Sequence, residues 1–218
     1  GKDAPDAASK PPAQPKWEGS SDDFLRLWQR VYDDALRLFD GGHTTCAAKK
    51  MKQGLRLVRA LGGGRRVEAK FLSQLGAMQA EDGLLDDSLV SFDSAERAVK
   101  QAVAQARRSG CRVEREVAEL RLVLDSKAHV LMLLGRVKEA VRPCEESIEL
   151  SRKRLTKEGT VDKEVVACQL VRLAKCRDRS GDSEGAAEAL SEAVKLYKMA
   201  SVDSEHSRGA ARALEKLR

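Results

Sequence analysis

From Phe24 onward, apolar residues recur at three- and four-residue steps. Phe24, Leu27, Trp28, Val31, Ala35 and Leu38 share one face of a helix. Ser20, Ser21, Asp22 and Asp23 precede them and supply the capping oxygens and negative charge that a helix N-terminus favours. Gly41 and Gly42 then close the stretch. The same alternation of an apolar stripe and a glycine turn continues, with glycines at 62–64, 83, 110, 135, 159 and 181. It predicts helices over 21–40, 45–61, 65–81, 85–109, 112–134, 137–158, 162–179, 183–199 and 204–218. Connections this short make consecutive helices antiparallel neighbours. Ile148 is the lone isoleucine, and no alternating run of β-branched residues points to a sheet.

The stretch GRVKEAVRPCEESIEL, 135–150, keeps helical spacing although Pro143 falls inside it. A proline there removes a backbone donor and costs about 3 kcal/mol against propensity alone. The spacing predicts a bend around Glu139–Pro143, with the helix continuing to about Lys157.

Aligning the chain on Gly42, Gly83, Gly135 and Gly181 exposes a repeat. Small residues stand five places after each glycine, at Ala47, Ser88, Ala140 and Ala186. A second set follows seven later, at Gly54, Ala95, Ser147 and Ala193. A third lies seven before the glycines, at Ala35, Gly76, Ala128 and Ala174. Small side chains at these places let two helices approach, first within a hairpin and then between hairpins.

With Leu75-Gly76, Phe92 and Ala95, and with Gly135, Glu139, Ala140 and Ser147, the pattern resembles the tetratricopeptide repeat (TPR) family. Gly181, Ala186, Ala193 and Leu196 continue it. The glycine spacings of 41, 52 and 46 exceed the roughly 34 residues of a standard repeat and resemble the long-repeat, kinesin-light-chain-like subset. VDKEVV at Val161 and VDSEHS at Val202 echo each other, each introducing a helix, and look like the entry into successive repeats. The resemblance implies an all-α fold, a right-handed α-solenoid of about four helix-turn-helix units with a C-terminal capping helix. It places a Pro/Ala-rich tail at 1–20, the repeat domain at 21–200, and a cap or truncated fifth repeat at 201–218. The chain has no asparagine, so the paired-asparagine carboxylate clamp of some family members is not expected.

Charged residues make up 34% and aromatics 4%, a mix that favours helices. No stretch approaches the roughly 18 apolar residues of a membrane span. The five cysteines form no CxxC pair and histidines are few, so neither a metal site nor a disulfide framework is expected. Free thiols serving as small core residues fit a cytoplasmic or other reducing compartment. No residues are spaced for catalysis and no cofactor motif occurs; Gly62–Gly64 follows no strand and reads as a helix connection.

Charge is segregated along the chain. Residues 41–67 contain no acid, and residues 71–96 contain no base. Lys49, Lys50, Lys52, Arg56 and Arg59 read either as a patch for nucleic acid or an acidic protein, or as charge offset by the acidic block in the next unit. In the family, the first helix of each pair lines the concave side. Helical phase then places Tyr32, Lys70, Gln74, His129, Met132, Arg172, Lys175 and Arg179 in the groove. The expected function is a non-catalytic scaffold or adaptor for an acidic or amphipathic peptide or a partner helix. RNA binding through 49–66, or a docking role within a larger enzyme or regulator, are the alternatives.

Overall fold

The computed structural model describes residues 21–158, 163–201 and 204–217. Its helices are α1 (Ser21–Asp40), α2 (Thr44–Ala60), α3 (Gly64–Glu81), α4 (Leu85–Arg108) and α5 (Glu114–Leu133). They continue with α6 (Val137–Glu158), α7 (Lys163–Arg179), α8 (Ser183–Met199) and α9 (Glu205–Leu217). No strand occurs among the described residues. The expectations for the 1–20 tail and for a turn at Gly159 lie outside these residues. Each helix packs chiefly on the one before and the one after, and α3 also touches α5. This chiefly nearest-neighbour contact pattern is that of an all-α helical-repeat solenoid.

The turns explain the regular helix ends. After α3, Gly83 sits at φ 75°, its N–H bonds Ala80 O at 3.1 Å, and Leu84 N–H reaches back to Gln79 O at 2.8 Å. That left-handed closure satisfies two carbonyls at the end of α3, and a side chain with a Cβ would strain it. Gly42, Gly135 and Gly181 repeat the same pair of bonds. At Gly110 the turn runs longer, and α5 starts at Glu114 instead of 112, because Val113 O accepts the first helical bond, from Val117.

All three sets of aligned small residues are buried. At Gly76 the reason is direct. A Cβ there would meet three atoms of the Phe92 ring at 3.1 Å, and the Ser88 hydroxyl donates to Gly76 O at 2.7 Å. Close approach between α3 and α4 therefore depends on both small residues.

α6 runs without interruption through Pro143 and on to Glu158, one residue beyond the expected end. Pro143 is buried and lies with Leu89, Leu124 and Leu131 along the seam of α4, α5 and α6. Tertiary packing thus offsets its missing backbone bond.

Charges tie the same seam together. Lys127 of α5 donates to Glu96 of α4 at 2.8 Å and pairs with Asp93 at 2.7 Å. Lys100 bridges Glu96 at 2.7 Å and Glu146 of α6 at 2.8 Å. Burial alone would raise the Glu96 carboxyl, but hydrogen bonds and charge from Lys100 and Lys127 outweigh it and hold the group below its ordinary 4.5. A carboxyl depressed in the folded state contributes stability that is present above its unfolded value and is lost as pH falls through the folded one. Stability should therefore drop as pH falls below about 4.5. Urea titrations at stepped pH should show a weaker drop in Glu96→Gln; an unchanged profile would remove this network from the acid response.

Candidate functional site

The expected groove residues lie on α1, α3, α5 and α7, the first helices of the four pairs, and α3 and α5 touch each other directly. Two of the clefts beside α7 involve expected groove residues. The first, about 370 Å³, lies between α3 and α5, with Ala77, Ala80, Phe92, Val130 and Leu133 as apolar lining. Glu81, Asp125, Ser126, His129 and Arg172 supply its polar groups. The second, about 450 Å³, lies among α7, α8 and α9 over Val171, Ala174, Leu190, Ala210 and Ala213. Lys175, Asp178, Glu205, His206, Arg212 and Lys216 border it.

His129 and Arg172 meet in the first cleft, and Lys175 faces the second. Lys175 and Arg179 are exposed, and neither has a carboxylate within ion-pair distance among the described residues. Arg172 is engaged within the protein: its guanidinium donates to Asp125 O and pairs with Asp125 Oδ1, both at 3.3 Å. Met132 is half-buried against the core.

Tyr32, Lys70 and Gln74 stand farther toward α1. Tyr32 presents its ring edge to Phe71 at 5.3 Å between centroids, and Lys70 Nζ lies 5.9 Å from the centre of the Trp28 ring. Gln74 is half-buried. Burial pushes the Tyr32 hydroxyl above its ordinary 10.0, helped by the negative charges of Glu119 and Asp33. Burial likewise pushes the Glu119 carboxyl up, against the opposing charges of Lys70 and Arg66. Tyr32 of α1 and Lys70 of α3 are thus both coupled to Glu119 of α5.

Sequence reasoning missed Leu122 and Leu133, which are 56% and 54% exposed on α5 and align with His129 by helical steps. Their exposure on a helix of an otherwise buried apolar core makes them candidate contacts.

The basic block divides. Lys50 pairs with Asp34 at 3.7 Å and Arg59 with Glu68 at 2.7 Å. Lys49, Lys52 and Arg56 are exposed without an acidic partner among the described residues. None of these pairs involves the acids between 81 and 96, so the expected offset by the neighbouring acidic block is not how the charge is balanced. Asp93 and Glu96 of that block instead hold Lys127.

The cysteines also divide. Cys144 and Cys176 are buried free thiols and Cys168 Sγ lies 3.1 Å from the Tyr197 hydroxyl, whereas Cys46 and Cys111 are exposed and are not core residues. A hydrogen bond to Cys176, aided by burial, pushes the Cys144 thiol up. Among the described residues no group of His, Cys, Asp and Glu is arranged to hold a metal ion, and no helix is long and apolar enough to cross a membrane.

No family model and no curated protein matches the chain. Solved structures do. The apo form of RapI superposes with a TM-score of 0.69 at 10% identity, over 87% of this chain and 47% of that one. This chain thus spans about half the length of RapI. A putative kinesin light chain with TPR-like repeats from Podosopora anserina matches with a TM-score of 0.63 at 15% identity, over 87% and 84% of the two chains. MamA from Desulfovibrio magneticus matches with a TM-score of 0.57 at 16% identity, over 87% and 92%. At these identities the likeness is one of fold, and the fold of this chain is a TPR-like α-solenoid.

Proposed function

We propose that this protein is a non-catalytic scaffold whose groove holds an acidic or amphipathic peptide, or a partner's helix. The observation that carries this reading is the pair of apolar-lined clefts flanking α7, with the unpaired cations Lys175 and Arg179 on the same helix. Apolar side chains of a ligand would seat in the clefts, and its carboxylates would meet Lys175 and Arg179. Tyr32, Lys70, Gln74, His129 and Met132 would extend the contact surface along the groove, with Arg172 held by Asp125 as its wall.

A library of amphipathic peptides of graded charge tests the reading. Acidic members should bind wild type, and Lys175→Glu with Arg179→Glu should weaken them at least about tenfold, because reversal replaces two attractions by two like-charge repulsions. Both side chains are exposed, so thermal stability should hardly change. Binding that survives the double reversal would overturn the assignment of this groove.

A further inference from the structure

The α2–α3 and α4–α5 turns lie side by side on one edge of the solenoid. Arg66 of α3 approaches Glu116 of α5 at 3.6 Å. Gln105 of α4 closes a cleft of about 500 Å³ with Gly62, Gly63, Gly64 and Arg65. On the first side of this edge stand Arg56, Arg59, Arg65 and Arg66. On the other stand Arg107, Arg108, Arg112 and Arg115. The two stretches, 54–68 and 105–117, contain no lysine, and their acids are Glu68, Glu114 and Glu116.

Two of those acids sit below the arginines. Glu68 takes Arg59 and Arg65, both at 2.7 Å, and its side chain is 9% exposed, while the two arginines remain 53% and 55% exposed. Glu68 therefore orients guanidinium groups without covering them. Arg107, Arg112 and Arg115 are exposed with no acidic partner among the described residues.

Helix dipoles account for only part of this charge. Cations in the last turn of α4, Arg107 and Arg108, face a favourable helix end. Arg65 and Arg66 in the first turn of α3, Arg115 in the first turn of α5, and Arg112 just before it face the unfavourable, positive end. α3 has no acid in its first turn and no side-chain cap. Glu114 and Glu116 offset the start of α5, whereas the start of α3 carries Arg65 and Arg66 with no acid in its turn, so the edge as a whole keeps a cationic excess suited to an external anion.

We propose that this edge binds the phosphodiester backbone of a nucleic-acid duplex. Arginine's planar fork matches phosphate oxygens in pairs, which a lysine surface does not. The arginines spread over two turns, which suits a polymer better than a single small anion. Neither stretch contains an aromatic residue on which an unpaired base would stack, which disfavours a single strand. Neither contains an exposed large hydrophobic residue, so an acidic protein would find no apolar anchor there.

Fluorescence anisotropy with labelled 20-bp RNA and DNA duplexes at low salt tests the proposal, with a single strand of equal length and poly-glutamate as competitors. Wild type should bind a duplex, and the log of its affinity should fall by about 0.9 per phosphate contact for each tenfold rise in salt. Replacing Arg107, Arg112 and Arg115 together by Gln should weaken binding at least about tenfold and make the salt dependence shallower by roughly three contacts. These side chains are exposed and unpaired, so circular dichroism should report an unchanged fold. Lys175→Glu with Arg179→Glu should leave duplex binding intact, because the groove is a separate surface. The RNA and DNA arms show which backbone is preferred. Absence of binding to both duplexes, tighter binding of the single strand, equal competition by poly-glutamate, or an undiminished triple variant would each overturn the proposal.

Discussion

Replacing Phe71 by Ala should lower the unfolding free energy by about 3–5 kcal/mol. The ring is fully buried and joins three elements. Trp28 and Tyr32 of α1 meet it edge-on at centroid distances of 6.4 and 5.3 Å, and Gly54 of α2 backs onto its edge. A Cβ at Gly54 would fall within 3.0 Å of the ring. Aromatics make up only 4% of the chain, so few other residues bury as much surface at one joint. Contacts run between neighbouring helices, so the loss should concentrate at the α1–α3 end. Hydrogen exchange should rise in α1 and α2 well before α7 and α8. Gly54→Val should destabilise wild type by overpacking, and less so when Phe71 is Ala, because the vacated space receives the new methyl groups. A change below about 1 kcal/mol for Phe71→Ala, or full additivity of the two substitutions, would contradict this account of the joint.

The same region shows why the fold was legible. Glycine turns and aligned small residues are local signals, and each has one physical job in the structure. Ala35, Ala47 and Gly54 were readable as contact points because only small side chains satisfy a close crossing. The groove was less legible. The apolar residues of α5, Leu120, Leu122, Val123, Leu124, Val130, Leu131, Met132 and Leu133, are spread around the helix, so its periodicity does not set which side is left open. The expected line through Asp125, His129 and Met132 keeps His129 exposed, while Leu122 and Leu133 supply the exposed apolar positions. The roles of charged residues depended on partners distant in sequence. Arg172 read as a groove cation, yet its partner Asp125 lies on another helix. The arginine edge was hidden for the same reason, since residues 54–68 and 105–117 meet only after α3 and α4 fold back.

Asp125→Ala should cost about 2–3 kcal/mol, the range for removing charged hydrogen bonds from a largely buried site. Asp125 Oδ1 accepts from the Ser147 hydroxyl of α6 at 2.8 Å, and Oδ2 accepts from the Gln169 amide of α7 at 3.0 Å. Gln169 also donates to Ser147 at 2.7 Å, closing a ring of contacts between the third and fourth units. Arg172 and Arg121 approach the same carboxylate at 3.3 and 3.6 Å. Ser147 occupies a small-residue position, so its hydroxyl adds specificity where the other units carry Gly or Ala. Removing Asp125 would leave Arg121 and Arg172 together without their shared anion. Replacing Arg172 by Met in the same background should then recover part of the loss, because the uncompensated cation is gone. Unfolding in urea of the two single variants and the double variant measures that coupling. Simple additivity would mean that Arg172 and Asp125 contribute separately, and would leave Arg172 available as a groove cation.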